Sequence, residues 1–348
     1  MALTGDIQEV RDYLASNQAL LDGLGLPADS LLQVETLGKG EHNENYVFGI
    51  PGGQRFVLRV NRVPQPFHDN QVAYEFAALK ALEGSGCAPL PLYVDDSAAA
   101  LGKGVLVESF CLGQELDFDN LGANDLQCAA LLMANVHAVP VAQDCPLFRP
   151  ADPLQQLFDE CVDRFAAYRG TSLEDPRYTR WIERFFAATQ AAMDAAPAAA
   201  EGGHIVNTET LASHFLLLPE GERNLPQGPV GTFVDWERPI IGEVAQDLAF
   251  FVAPSTTLWD SNYLFPRENI QAFLEEYWAA VDGRFDRGSF DARFQAWLAV
   301  SVLRSQTWFC KNAARYAQGG GHTVQRTFEK WDIYTSDEFN EMLLRECF

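Results

Sequence analysis

The chain has 348 residues, 47% of them hydrophobic and 21% charged, enough to bury a core or two lobes and too apolar for a disordered polypeptide. Its formal net charge of −23, from 25 basic against 48 acidic side chains, argues against a general nucleic-acid or anionic-membrane binder. No run is long and apolar enough to cross a bilayer, the opening MALTGDIQEVRDYLAS lacks the pattern of a secretory leader, and seven scattered cysteines form neither a zinc spacing nor a disulfide framework. A reducing cytoplasm is the expected location.

In chain order, residues 7–22 read as an amphipathic helix, and LLQVETLGKG and ENYVFGI as two strands around a Gly-containing turn. PGG at 51–53 breaks the chain before a third strand, RFVLRV, which completes an antiparallel meander. From Asn70 to Leu82 the apolar spacing becomes helical, with Val72, Phe76, Leu79 and Leu82 on one face. GVLVESF (104–110) is a further strand and LGQEL a crossover. Beyond it the pattern is mainly helical, in DLQCAALLMANVHAV, PLQQLFDECVDRFAAYR, RYTRWIERFFAATQAAM, IQAFLEEYWAAV and FQAWLAVSVLRSQTWFC. ASHFLLL and VGTFVDW interrupt it as a β-hairpin around the turn-rich PEGERNLPQGP. This order predicts an α+β chain with a small antiparallel-sheet lobe over 1–112 and a larger helical lobe over 113–348. A ligand cleft is expected where the lobes meet.

Several residues stand out chemically. Gly38 and Gly40 would let backbone amides approach phosphate oxygens, although an ordinary hairpin turn uses the same glycines. Lys39, Arg55, Arg59 and Arg62 concentrate positive charge in an acidic chain, where an anionic ligand could sit. Glu75 lies on the apolar stripe of its helix and therefore needs a partner. Arg59, in a buried strand, is the candidate; a surface cation and an unrelated helix charge is the alternative reading. His137 reads as a packing or capping residue. Trp236, Trp259, Tyr277 and Trp278 are either core or the aromatic lining of a pocket for a cationic acceptor.

HIVNTETLASHFLLL followed by VGTFVDWERPIIGEVAQDLAFF resembles the catalytic loop and metal-binding hairpin of the aminoglycoside phosphotransferase and choline kinase family, whose pattern is H-G-D-x-x-x-x-N, then I-D-W-E and G-D-P-x-x-D-L-A. The resemblance extends over nearly the whole chain. It implies a two-lobed protein-kinase-like fold and ATP-dependent phosphorylation of a hydroxyl on a small molecule such as an aminoglycoside, amino alcohol or sugar. Carried over by position, Asp235 is the metal-binding Asp, Asp247 braces the catalytic loop, and Glu108 stands where the strand enters the nucleotide hinge. Gly38 and Gly40 cover the phosphates, while Arg59 and Glu75 take the places of the strand cation and its helix partner.

The loop departs from the pattern, with Asn207 for His, Glu209 for the catalytic Asp and His214 for the metal-binding Asn. Glu209 retains a carboxylate that can orient or deprotonate a hydroxyl, displaced by about 1 Å through its extra methylene. His214 is a poor ligand for Mg²⁺, so a single metal or Mn²⁺ is expected there. The alternative implied by these changes is a pseudokinase that binds nucleotide or a protein partner. His204 lies three positions too early to be the loop histidine.

Overall fold

The computed structural model describes residues 7–27, 30–39, 43–61, 70–97, 101, 104–199, 203–319 and 325–348. Two compact units emerge. The first comprises Met1–Gln114, Val139–Leu147 and Leu216–Pro239, and the second Glu115–Ala138, Phe148–Phe215 and Ile240–Phe348.

In the first unit the expected N-terminal helix is two, α1 (Ile7–Ser16) and α2 (Gln18–Gly23). The break falls at Asn17, whose side chain accepts the Leu20 N–H (3.1 Å) and so caps α2. Strands β1 (Gln33–Lys39), β2 (Asn43–Gly49), β3 (Arg55–Asn61), β4 (Pro91–Asp95) and β5 (Val105–Ser109) form an antiparallel sheet in the order β1-β2-β3-β5-β4, with α3 (Gln71–Leu82) following β3. Strand β4 is absent from the sequence-based reading; it adds at the edge of β5.

Alternation along the strands sorts the side chains onto two faces. Tyr46, Phe48, Phe56, Leu58, Val60, Val105 and Val107 share one face and pack with Val10, Tyr13, Leu14, Leu20 and Leu21 of the two N-terminal helices. Leu14, Leu20 and Leu58 are fully buried, each worth about 1.5–3 kcal/mol over exposure. The opposite face is polar: Arg59 pairs across β2 with Asn45 and Asn61 with Asn43, while Glu108 lies opposite Val57. Helix α3, N-capped by Asn70 accepting from the Ala73 N–H (3.2 Å), carries Glu75 to that polar face. Just before β6 (Gln114–Glu115), Gly113 lies so close to the Leu216 backbone that a Cβ would fall 2.8 Å from its carbonyl carbon, at a φ of +144°.

The second unit is built on helices α4 (Asp125–His137), α5 (Pro153–Tyr168) and α6 (Pro176–Ala195). Strand β7 (His204–Val206) leads into the candidate loop, and β8 (Phe215–Leu217) returns the chain to the first unit, where it joins β9 (Gly231–Phe233) through Leu218 N–H to Val230 O (2.9 Å). The expected hairpin strands are thus shorter than the sequence suggested, with Ala212–His214 a single 3₁₀ turn. Strand β10 (Ile240–Gly242) pairs antiparallel with β7. It is followed by α7 (Val244–Val252), α8 (Pro254–Asp260), α9 (Arg267–Val281), α10 (Phe290–Ala317), α11 (Gln325–Tyr334) and α12 (Asp337–Cys347). Helix α10 runs 28 residues, longer at both ends than expected, and packs on α5, α6 and α7. No helix among the described residues is long and apolar enough to cross a membrane.

Candidate active site

A buried charge cluster lies in the first unit. On the polar face of β3, Arg59 is 7% exposed and its Nε stands 3.2 Å from Glu75 Oε2. Its Nη2 donates to Asp235 Oδ1 (2.8 Å) and lies 4.0 Å from Glu237 Oε2. Gln71 joins the ends of the cluster, its amide donating to Glu75 Oε1 (3.0 Å) and to the Glu237 carbonyl (2.6 Å). Asn43 donates to Glu237 Oε2 (3.0 Å) and accepts from Asn61 (3.0 Å). Burial opposes the Arg59 charge, but Glu75, Asp235, Glu108 and Glu237 together hold the guanidinium well above its ordinary value. For Glu75 burial wins, pushing its carboxyl up in spite of Arg59.

Asp235 differs from its neighbours in being reachable. Its side chain is 32% exposed, and its backbone has a φ of +64°, which an aspartate tolerates better than most residues. Among the described residues no group of three His, Cys, Asp or Glu side chains stands together as a metal cluster. One accessible carboxylate still suits Mg²⁺, which keeps several waters and is commonly held by one or two carboxylates plus substrate phosphates. The donor set therefore fits a metal that arrives with a nucleotide better than one held in a cage of protein ligands.

Glu108 faces the same charges from β5, and burial pushes its carboxyl up to about 7. That value exceeds the unfolded one, about 4.3. The stabilisation from its neutral form is therefore fully present below about pH 4 and is lost as the pH rises through 7. Glu108→Gln should therefore gain on the wild type by roughly 2–3 kcal/mol between pH 5 and pH 8. Thermal unfolding at the two pH values checks this; parallel losses in both proteins would mean that Glu108 is ionised throughout.

The second unit holds the candidate loop between β7 and β8. Fully buried Asp247, on α7, accepts the backbone N–H groups of Asn207 (Oδ2, 2.7 Å) and Thr208 (Oδ1, 2.8 Å), while its carbonyl accepts the Thr210 hydroxyl (2.8 Å). His137 Nε2 stands 3.2 Å from Asp247 Oδ2 and its Nδ1 2.8 Å from the Tyr277 hydroxyl. The Asn207 side chain accepts the Glu209 N–H (3.1 Å). Thr208 has a φ of +74°, a strained conformation for a β-branched residue. Glu209 follows directly, its side chain 32% exposed and hydrogen-bonded to Arg304 Nη2 of α10.

Arg59, Glu75, Glu108 and Asp235 thus come together within one unit, and Glu209 and His214 share the loop of the other. Gly38 is placed inside β1 at a register shift rather than in a turn, and Gly40 and Arg62 lie outside the described residues. Arg55 is exposed and stacks on Phe110, 3.8 Å from the ring centroid. Trp236 and Tyr277 are core residues with hydrogen-bond partners at Phe233 O (2.8 Å) and His137. Glu237 and Arg304 have no role in the sequence-based reading, whereas His137, read there as a packing or capping residue, is buried against Asp247 and Tyr277. The Glu of the D-W-E triplet is a visible signal for the first; Arg304 depends on helix packing that no local pattern encodes.

A comparison with curated protein sequences finds no significant match. Among solved structures the chain is similar to a putative aminoglycoside phosphotransferase from Ralstonia eutropha JMP134, at 14% identity and TM-score 0.66 over 98% of each chain. It is also similar to an ethanolamine kinase of Plasmodium vivax (13%, TM-score 0.62, 98% of each chain) and to a spectinomycin phosphotransferase in complex with ADP and spectinomycin (13%, TM-score 0.53, 89% of this chain and 88% of that one). At these identities the likeness is one of fold, and it is the two-lobed, protein-kinase-like α+β fold. The model of the phosphotransferase enzyme family matches residues 33–293, and with that span the chain belongs to this family of small-molecule phosphotransferases.

Proposed function

We propose that the protein is an ATP-dependent kinase that phosphorylates a hydroxyl of a small molecule of the aminoglycoside, amino-alcohol or sugar type. The observation that carries this reading is the Arg59–Asp235 contact, which joins the cation of the buried cluster to its one-third-exposed carboxylate. In this reading Arg59, anchored by Glu75, turns its guanidinium to phosphate oxygens, and Asp235 holds the metal that comes with the nucleotide. A bound Mg²⁺ or Mn²⁺ would neutralise charge developing on the phosphates. Glu209 accepts a hydrogen bond from the acceptor hydroxyl and orients it. The ADP in the spectinomycin phosphotransferase complex supports an adenine nucleotide, and the named activities of the other similar structures support amine-bearing acceptors.

A coupled ADP-release screen with Mg²⁺ and Mn²⁺ over aminoglycosides, choline, amino alcohols and sugars tests the proposal. Acceptor-dependent release that stops on chelation is expected. Nucleotide binding in calorimetry with no release from any acceptor would sink the kinase reading.

A further inference from the structure

The second unit contains a buried cation whose position, if Glu209 orients the acceptor as proposed above, bears directly on phosphoryl transfer. Arg304 lies in the middle of α10 and is 8% exposed. Its guanidinium makes two contacts with consecutive residues of the loop. Nη1 donates to the Thr208 carbonyl (2.7 Å), and Nη2 donates to the Glu209 carboxylate. Its Cζ lies 4.8 Å from the centroid of the Phe250 ring on α7, the same helix that carries Asp247. A cation this buried needs a partner, and Glu209 supplies the opposite charge.

The contacts divide the strained residue between two helices. At Thr208, the N–H is held by Asp247 of α7 and the C=O by Arg304 of α10. Backbone held in a sparsely populated region persists where its surroundings over-determine it, and here an anion and a cation do so from opposite sides of one residue. Glu209 projects from the end of that clamp. A glutamate has one more rotatable bond than an aspartate, so a fixed backbone alone does not fix its carboxylate. The bond from Arg304 removes that freedom.

We infer that Arg304 is a positioning residue for phosphoryl transfer: it locks the longer Glu209 side chain into a single reactive orientation. Glu209 and Arg304 then form a matched pair, in which the loop accommodates a glutamate because the helix behind it supplies an arginine. In this role Arg304 acts through Glu209 and is neither donor nor acceptor of the transferred proton or phosphoryl group.

The test is a double-mutant cycle on ADP release, using an acceptor that supports turnover by the wild type, with Arg304→Met, Glu209→Ala and the double variant. Misplacement of a reacting group by about 1 Å costs on the order of a hundredfold, so Arg304→Met should lower kcat by about that factor while the nucleotide KM stays within about twofold. In the Glu209→Ala background the same change should have little further effect, because the group it positions is gone. Arg304→Lys should recover part of kcat by restoring one of the two contacts, and it carries the test if the Met variant fails to fold. Additive losses across the cycle, or an Arg304→Met enzyme with wild-type or higher kcat, would overturn the inference while leaving the kinase reading intact. A wild type that never releases ADP overturns both.

Discussion

Asp235→Asn should lower acceptor-dependent ADP release by about 10³-fold or more, equivalent to roughly 4 kcal/mol of transition-state stabilisation. Asparagine is the informative replacement because it tolerates the left-handed backbone at this position, where φ is +64°. Alanine would add backbone strain of about 1 kcal/mol to the loss of the ligand. The amide keeps the size of the side chain and can still accept a hydrogen bond from Arg59 Nη2, so only the negative charge is lost. The side chain is one-third exposed, and Arg59 retains Glu75 at 3.2 Å, so the melting temperature should move by no more than a few degrees. A release rate near that of the wild type would remove Asp235 from the metal site. A collapse of the melting temperature would instead make it a structural residue of the cluster.

The sequence was most legible where one local rule decided the outcome. Alternation in Arg55–Asn61 put Phe56, Leu58 and Val60 on the core face and Arg59 on the other, and a helix beginning at Asn70 placed Glu75 where it could meet Arg59. Asp247 was singled out by the family resemblance alone, and it accepts the loop N–H groups of Asn207 and Thr208. Nonlocal features were not legible. Strand β4 is five residues long and takes its place by pairing with β5, which comes later in the chain. His137 and Tyr277 sit on helices 140 positions apart in sequence, so their 2.8 Å contact leaves no periodic trace. Arg304 looked like one polar position in a largely apolar helix; its meaning depends on α10 packing beside the loop that carries Glu209. Glu237 is intermediate, since it ends the visible D-W-E triplet but nothing in that triplet shows its approach to Arg59.

The largest effect on stability is expected from Arg59→Met. The methionine fills a similar volume on the polar face of β3 but leaves Glu75, Glu108 and Glu237 without the cation that all of them share. Removing one partner of a buried ion pair typically costs about 3–5 kcal/mol, because the remaining charge has neither solvent nor counter-charge. Glu75 is 2% exposed and already raised by burial, and Glu108 is pushed up to about 7 even with Arg59 present. Without the arginine both carboxyls rise further, and each favours the fold when protonated and opposes it when ionised. The deficit of the variant should therefore be smallest near pH 5 and grow through pH 8. Arg59→Lys, which keeps the charge but cannot reach Glu75 and Asp235 through separate nitrogens, should lie between the two. Thermal unfolding of the three proteins across that range separates the causes. A deficit that stays constant with pH would mean that packing, and not the uncompensated carboxylates, sets the loss.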